Sequence, residues 1–218
     1  MNLWLARMRL DLRDRHVRND LADVVRLHQR VMSLFPDGLG ERARQKAGVL
    51  FRLDELPGNV VTLLVQSRLE PNPDKLPPGY KNFQTRKLTP LLDALSPGMT
   101  VFYRLVGNPV KRLLKDQGHH RARQIVALSG AAADEWWRRR AEAAGLAPIS
   151  ARSVRLDTRL GTKTKDEKSH TVRHAATRFD GVAIVKDVDA AREAVINGIG
   201  KGKSYGCGLL SLAPARQR

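Results

Sequence analysis

A stretch rich in glycine and lysine close to the C-terminus is the first feature with recognisable chemistry. It reads GIGKGKSYGCGLL and covers residues 198–210. The spacing does not fit the G-x-x-x-x-G-K-[ST] pattern of a P-loop, and a predicted helix precedes the glycines where a P-loop requires a strand. Glycines such as Gly200 and Gly202 let a backbone approach a ligand and present N–H groups, and Lys201 and Lys203 add positive charge. The stretch therefore predicts either a contact to phosphates or a flexible turn with solvated lysines.

His28 is the second candidate for chemistry, because it interrupts an apolar helical stripe. It follows Val24 by four residues and precedes Met32 by four, where the periodicity would place another aliphatic side chain. Histidine is the side chain that changes charge near neutral pH, so it suits proton transfer. Two interpretations stay open, a proton-transfer group facing a groove and a buried, hydrogen-bonded structural histidine.

A basic hairpin is the third candidate. The segment GTKTKDEKS supplies three lysines, and the strand before it supplies three arginines. Such a hairpin could lie along a nucleic-acid groove and contact phosphates, or it could be a solvated charged surface. Its residues are Arg152, Arg155, Arg159, Lys163, Lys165 and Lys168.

The other histidines and the single cysteine do not suggest a metal centre. His170 and His174 are four residues apart, but they fall in a predicted strand and lack the glutamate of H-E-x-x-H. His119 and His120 lie in an arginine-rich loop, where they are solvated or contact phosphates. Cys207 is expected to be a small buried residue. We expect no metal and no other cofactor, so any nuclease chemistry would have to proceed without metal.

The charge of the whole chain favours a polyanionic partner. The 218 residues include 39 Lys plus Arg against 22 Asp plus Glu, a formal net charge of +17 spread along the sequence. Nucleic acid is the first expectation, and an anionic membrane surface is the alternative. No apolar run approaches the ~20 residues of a membrane span, and no signal peptide is recognisable, so a cytoplasmic protein is expected. Aromatic residues make up only 5% of the chain, which argues for shape and phosphate recognition of structured RNA over base stacking on a sheet.

The first half of the chain predicts a strand, a helix and a hairpin. The strand lies in NLWLARMRLDL, and the helix in LADVVRLHQRVMSLF. Asn19 or Asp20 is expected to cap this helix, and Pro36 with Gly38 to end it. Two apolar runs separated by PGN then form the hairpin. This order opens a ferredoxin-like unit.

The second half repeats the order of elements. Residues 71–97 are rich in proline and charge, and we interpret them as a connection with one short helix. A strand, a basic loop, a helix over 134–145, two strands with a basic connection, a second helix and a short closing strand follow. The predicted fold class is therefore α+β, with two tandem ferredoxin-like (RRM-like) βαββαβ units. The first covers residues 1–92, with the connection starting at about 71, and the second covers 98–218.

Three motifs in the same order resemble a known family. RLHQRVMSLFP near the N-terminus, VFYRLVGNPVKR in the middle and GIGKGKSYGCGLLSLAP near the C-terminus look like the CasE family. Its members are the CRISPR RNA-processing endoribonucleases of type I-E systems. The resemblance extends over nearly the whole chain, and the C-terminal motif is the most specific.

The resemblance implies an activity and partners. Two ferredoxin-like domains would bind the stem-loop of a CRISPR repeat transcript and cut at the 3′ base of the stem. The ribose 2′-hydroxyl would attack the adjacent phosphate without metal or cofactor, leaving a 2′,3′-cyclic phosphate. The protein, a monomer in isolation, would then retain the mature guide RNA within the type I-E surveillance complex, Cascade. The family's catalytic histidine matches His28, and the glycine loop together with Lys111 and Arg112 of the central motif would contact RNA.

One departure from the family leaves the catalytic partner open. Some members carry a tyrosine three residues before the histidine, where this chain has Val25. His28 would then act with a lysine or arginine, or largely alone on RNA held in line for attack. Three other functions remain as alternatives: a non-catalytic RNA-binding subunit of the same fold, a metal-dependent nuclease using His170 and His174, and a membrane-surface protein.

Overall fold

The structure is a computed structural model, and it describes residues 2–113, 125–156, 159–165 and 168–215, with only the backbone described for 159–165 and 168–174. The first half forms a four-stranded antiparallel sheet in the order β2-β3-β1-β4. Its strands are β1 (Trp4–Leu10), β2 (Leu50–Leu56), β3 (Val60–Ser67) and β4 (Tyr80–Lys87). The expected hairpin is confirmed, because β2 and β3 pair antiparallel with Leu56 opposite Val60, and Gly58 and Asn59 of the three-residue turn both have positive φ.

Helices cover one face of this sheet. They are α1 (Arg15–Ala22), α2 (Val24–Met32) and the short α3 (Ala43–Lys46). Met8 of β1 and Phe51 of β2 pack beneath Leu27 and Val31 of α2, and all four are buried. This core fixes α2, and with it His28, over the edge of the sheet formed by β2.

The predicted helix is present as α2, but its predicted start was wrong, because the chain breaks between α1 and α2 at Asp23. The Asp23 backbone is extended, and its side chain accepts hydrogen bonds from the N–H groups of Val25 and Arg26, so it caps α2. Asp14 caps α1 in the same way. Asp20, one of the two residues expected to cap, is instead buried inside α1 and bonds to Arg30.

The connection expected over 71–97 contains regular structure. It includes β4, which completes the first sheet, and α4 (Thr89–Asp93). A short 3-10 helix, Pro73–Lys75, stands where the second helix of a ferredoxin-like unit would lie, since the prolines of this stretch disfavour a longer helix. The sequence does not predict β4, because this edge strand is largely exposed and shows no apolar alternation. The domain bounds themselves stay a prediction.

The second half forms an antiparallel sheet in the order β12-β5-β11-β8. With the sheet of the first half, this arrangement confirms the α+β fold class and agrees with tandem ferredoxin-like units. Trp137 and Phe179 lie at the centre of its core. Among the described ranges, no helix combines the length and the apolar character needed to cross a membrane. The elements of this half are β5 (Thr100–Gly107), β6 (Val110–Arg112), β7 (Ile125–Ala127), α5 (Ala131–Ala143), β8 (Leu146–Arg155), β9 (Arg159–Lys165), β10 (Lys168–His174), β11 (Thr177–Val185), α6 (Val188–Asn197) and β12 (Leu210–Pro214).

Buried polar contacts join the two halves. Arg52 of β2 pairs with Asp54, and its Nη1 donates to the carbonyl oxygen of Leu209 at 3.2 Å. Gln66 of β3 donates from Nε2 to the carbonyl oxygen of Val195 in α6 at 2.7 Å. Because these groups are buried, shifting one half against the other would leave them unpaired away from water, so the halves hold a defined relative position.

Candidate active site

His28 lies on α2 with its ring against the edge of the first sheet. The imidazole stacks on Phe51, with ring centroids 6.4 Å apart and an interplanar angle of 24°. The side chain is half-buried, and its Nδ1 is buried without a hydrogen-bond partner among the described residues. A structural histidine would be expected to bond through its buried nitrogen. The geometry of His28 therefore differs from that of the buried, hydrogen-bonded structural histidine, which was the alternative interpretation of this residue.

The surroundings of His28 favour the neutral imidazole. Burial lowers the pKa of His28 below its ordinary value, and the positive charge of Arg44 lowers that pKa further. Both effects disfavour a second positive charge at this position. At neutral pH the ring can therefore accept a proton.

Arg44 is a functional candidate that the sequence reasoning missed. It belongs to α3, and its Nη1 donates to the carbonyl oxygen of Val49, just before β2, at 2.9 Å. Burial lowers the pKa of Arg44, although a guanidinium remains charged across the physiological range. The residue lies in the polar run ERARQK, which has no apolar periodicity and matches no motif. No local signal distinguishes it from the neighbouring cations.

The glycine loop is a closed turn held by its own backbone. Its five glycines all have positive φ. At Gly198, a Cβ would lie 2.7 Å from the carbonyl oxygen of Gly208 and 2.8 Å from Leu50 Cδ1, so only glycine fits there. The N–H of Ile199 donates to the same Gly208 oxygen at 2.9 Å. These contacts fix the loop against β2.

The loop presents donors as well as charge. Among the described residues, the backbone N–H groups of Gly200, Lys201 and Gly202 donate to no acceptor. Lys201 is exposed, whereas Lys203 is half-buried and its Nζ donates to the carbonyl oxygen of Asn197 at 2.7 Å. A cluster of free N–H groups beside lysines is a suitable environment for phosphate oxygens.

The fold brings this loop to the histidine helix. The loop contains a 3-10 turn, Lys203–Tyr205, whose Cα atoms come within 8 Å of those of α2 and β2. Burial lowers the pKa of Lys203, and Arg44 lowers it further, as it does for His28. The positive charge of Arg44 thus acts on both His28 and Lys203. Residues 28, 44 and 203, which are far apart in the sequence, form one site.

The basic hairpin is confirmed and also reaches α2. Strands β9 and β10 pair antiparallel, with Lys163 opposite His170 and Lys165 opposite Lys168. Cα atoms of β9 lie within 8 Å of those of α2. The side chains of Arg159 and of the three lysines are outside the described part, so their directions are not assigned.

The remaining predicted RNA contacts do not form one surface. Arg152 and Arg155 are three residues apart on β8, which places them on opposite faces of the sheet. Arg152 lies opposite Asp180 in the ladder between β8 and β11. Lys111 and Arg112 are exposed on β6, which forms a separate two-stranded sheet with β7.

The other candidates have structural positions or fall outside the description. Cys207 is buried with Val106 and Ala176, as expected. His170 and His174 lie in β10, the predicted strand, while the loop with His119 and His120 is outside the described residues. Within the described ranges, no three His, Cys, Asp or Glu residues come together in a way that could hold a metal ion.

Comparison with known proteins places this site in a family context. The model of the family described as CRISPR associated protein matches residues 3–214. The CRISPR-associated endoribonuclease Cse3 of Thermus thermophilus is 29% identical over 221 residues, covering 97% of this chain and 100% of the relative.

Two solved structures share the fold. A structure of the CRISPR endoribonuclease Cse3 bound to a 19-nucleotide RNA superposes with a TM-score of 0.79 at 28% identity, covering 98% of this chain and 100% of that one. A chain of a CRISPR RNA-guided surveillance complex superposes with a TM-score of 0.73 at 41% identity, covering 97% of this chain and 100% of that one. The chain described here belongs to the CRISPR associated protein family, and its resemblance to CasE is confirmed.

Proposed function

We propose that this protein is the CRISPR RNA-processing endoribonuclease of a type I-E system. It binds the stem-loop of the repeat transcript and cuts at the 3′ base of the stem without metal, leaving a 2′,3′-cyclic phosphate. The observation that carries the proposal is His28, whose buried Nδ1 has no hydrogen-bond partner in the described part of the chain, and which lies beside Arg44 and the glycine loop. The relative from Thermus thermophilus, which matches 97% of this chain, is named as an endoribonuclease.

Proton removal is the first task of the site. The 2′-hydroxyl loses its proton to His28 as its oxygen attacks the adjacent phosphorus. A base with a pKa below neutrality is already deprotonated at working pH, and a positioned base contributes about 10² to 10⁴ in rate. The lowered pKa of His28 supports this role over that of initial acid. The P–O5′ bond then breaks, and the 5′-oxygen takes up a proton from the imidazolium or from water.

Stabilising negative charge on the phosphate is the second task. The pentacoordinate phosphate carries more negative charge than the phosphodiester, and fixed donors in a partly dry site stabilise it efficiently. Arg44 and Lys203 supply cations on the side of α2 that faces the loop, and Gly200 to Gly202 supply N–H groups. Some family members have a tyrosine at the position of Val25. In this chain Arg44 gives His28 a charged partner in place of that tyrosine.

Retention of the product is the remaining part of the proposal. A solved RNA-bound relative and a chain of a surveillance complex both superpose on nearly the whole of this chain. We expect this protein to stay on the mature guide RNA and to join the other subunits of a type I-E complex. Isolated monomers and a cytoplasmic location stay predictions.

Single-turnover cleavage of the organism's own CRISPR repeat stem-loop, in excess chelator, tests the proposal. The wild-type protein should make one cut and leave a cyclic phosphate, identified by its resistance to phosphatase until acid opens the ring. His28→Ala should reduce the rate by about 10² to 10⁴ and leave RNA affinity unchanged. His16→Ala, which changes an exposed histidine on α1, is the matched control and should cut normally.

The alternatives give different results. If wild type and His28→Ala bind equally and neither cuts, the protein is a non-catalytic RNA-binding subunit. If chelator abolishes the wild-type cut, the metal-independent mechanism is wrong.

A further inference from the structure

The first sheet has a second face, which points away from His28. Along β1, Ala6, Met8 and Leu10 are buried under the helices, while Arg7 and Arg9 alternate with them and are exposed. In an antiparallel sheet, residues directly opposite each other share a face. The second face therefore carries Arg7, Arg9 and their cross-strand partners.

Four cations gather on the part of this face that lies over β1 and β4. Arg9 is opposite Lys81, Arg7 is opposite Gln84, and Arg86 of β4 is opposite Leu5. The cationic stripe, defined as Arg7, Arg9, Lys81 and Arg86, is exposed throughout. The other part of the face, over β2 and β3, is covered by the contacts of Arg52 and Gln66 with the second half.

Most of the stripe lacks a charge partner. Lys81 pairs with Asp11 at 2.7 Å, but Arg7, Arg9 and Arg86 form no ion pair with any described residue. Like charges on facing positions of neighbouring strands are destabilising, and residues i and i+2 on one strand are only about 7 Å apart. An anionic ligand would relieve this repulsion. The stripe is therefore suited to a row of negative charges.

The neighbours of the stripe favour a phosphodiester chain as that ligand. Gln84 shares the face, is exposed and offers an amide donor for phosphate oxygens. No aromatic side chain stands among the cross-strand partners on this part of the face, so bases would not be stacked or read. Cations with polar donors and no stacking platform match backbone recognition without sequence preference.

We propose that the cationic stripe binds the single-stranded RNA that flanks the stem-loop. The inference rests on the proposed function, because it assigns a second contact to the same transcript. Four strands spaced at about 4.8 Å make the sheet about 14 Å wide, so a few nucleotides leading away from the stem can reach the far face. The stripe borders a cleft of about 520 Å³ between the halves, lined by Arg7 and Arg86 on one side and Leu212 on the other.

Binding of two RNAs to the full-length protein tests the proposal. One is the stem-loop alone, and the other carries about eight unpaired nucleotides 5′ of the stem; both have 2′-deoxyribose at the scissile position. The wild-type protein should bind the flanked RNA about tenfold more tightly. The triple variant Arg7→Gln, Arg9→Gln, Arg86→Gln should lose that gain and bind the bare stem-loop like wild type.

Salt dependence and a matched control sharpen the test. Each phosphate contact on a single strand contributes about 0.7 to the slope of log K against log salt, so losing three contacts should reduce the slope by about 2. The control removes three exposed cations elsewhere, with Arg138→Gln, Arg139→Gln and Lys186→Gln. It should keep the tenfold gain.

Each other outcome overturns the proposal. If wild type binds and cuts the stem-loop but gains nothing from the flank, the stripe is not an RNA site, although the proposed function stands. If the triple variant loses affinity for both RNAs equally, the stripe belongs to the stem-loop site. If it binds both RNAs normally but no longer joins the other subunits, its ligand is an acidic protein surface. Failure of wild type to bind the stem-loop would refute the proposed function itself.

Discussion

Replacing Gly198 with alanine should damage both the stability and the activity of this protein. Gly198 ends α6 with φ 71° and ψ 163°, a region that is almost exclusive to glycine. A Cβ there would also lie 2.7 Å from the Gly208 carbonyl oxygen, which accepts the N–H of Ile199. The added methyl group cannot be accommodated by rotating a side chain, because the nearest atom is backbone. The loop would have to move.

The expected loss is about 3 kcal/mol. The backbone conformation alone costs an alanine about 1 to 3 kcal/mol, and loss of the Ile199–Gly208 hydrogen bond adds about 0.5 to 1.5 kcal/mol. For a protein of this size, each kcal/mol lowers Tm by about 2 to 4 °C. Thermal unfolding of Gly198→Ala should therefore begin about 6 to 12 °C lower than that of wild type. Cleavage at 25 °C should fall by up to about 10²-fold, since the loop positions Lys203 near α2.

Gly98→Ala is the control that separates backbone strain from the steric clash. Gly98 has φ +82°, but nothing lies within 4 Å of the position its Cβ would take. This variant should lose about 1 kcal/mol and cut at the wild-type rate. Calorimetry and single-turnover cleavage measure both effects. Equal losses of stability in the two variants, or normal cleavage by Gly198→Ala, would refute the argument that this close approach holds the site together.

Three further changes have defined outcomes. In Arg44→Gln the pKa of His28 should rise toward its ordinary value of 6.5, because a positive charge beside it is lost. The acid limb of the single-turnover pH profile should therefore move to higher pH, and the plateau rate should fall. Arg44→Lys keeps the charge and should restore the position of the acid limb. Asp20→Ala leaves the partly buried Arg30 without its carboxylate and should cost about 3 kcal/mol in urea unfolding. Gln66→Ala removes a buried hydrogen bond between the halves and should cost about 1 to 2 kcal/mol by the same measurement.

The sequence predicted correctly those helix ends and turns that depend only on neighbouring residues. Asp187 caps α6 through a hydrogen bond from the N–H of Ala190, and Gly198 ends that helix, both as expected. The PGN turn likewise specified its hairpin. Errors occurred where a tertiary contact decided the outcome. Asp20 has a residue type that predicts a helix cap, but burial beside Arg30 gives it a different role.

The composition of the candidate site was only partly predictable for the same reason. His28 stood out because it interrupts an apolar stripe, and the loop stood out because of its glycines. Arg44 had no such contrast with its neighbours, and only the bond to Val49 and the proximity to the histidine distinguish it. Nothing in the sequence indicates that positions 28, 44 and 203 meet, since that depends on how the two sheets pack against each other.

The joining of the site across the two halves has a consequence for synthesis of the protein. Gly198 follows His28 by 170 residues, so the loop leaves the ribosome long after the histidine helix. At translation speeds of about 5 to 20 residues per second, this delay is roughly 10 to 30 s. During that interval the histidine has neither the lysine nor the amide donors of the loop. A nascent chain would therefore be unable to cut nearby transcripts, and so would a product truncated before the loop.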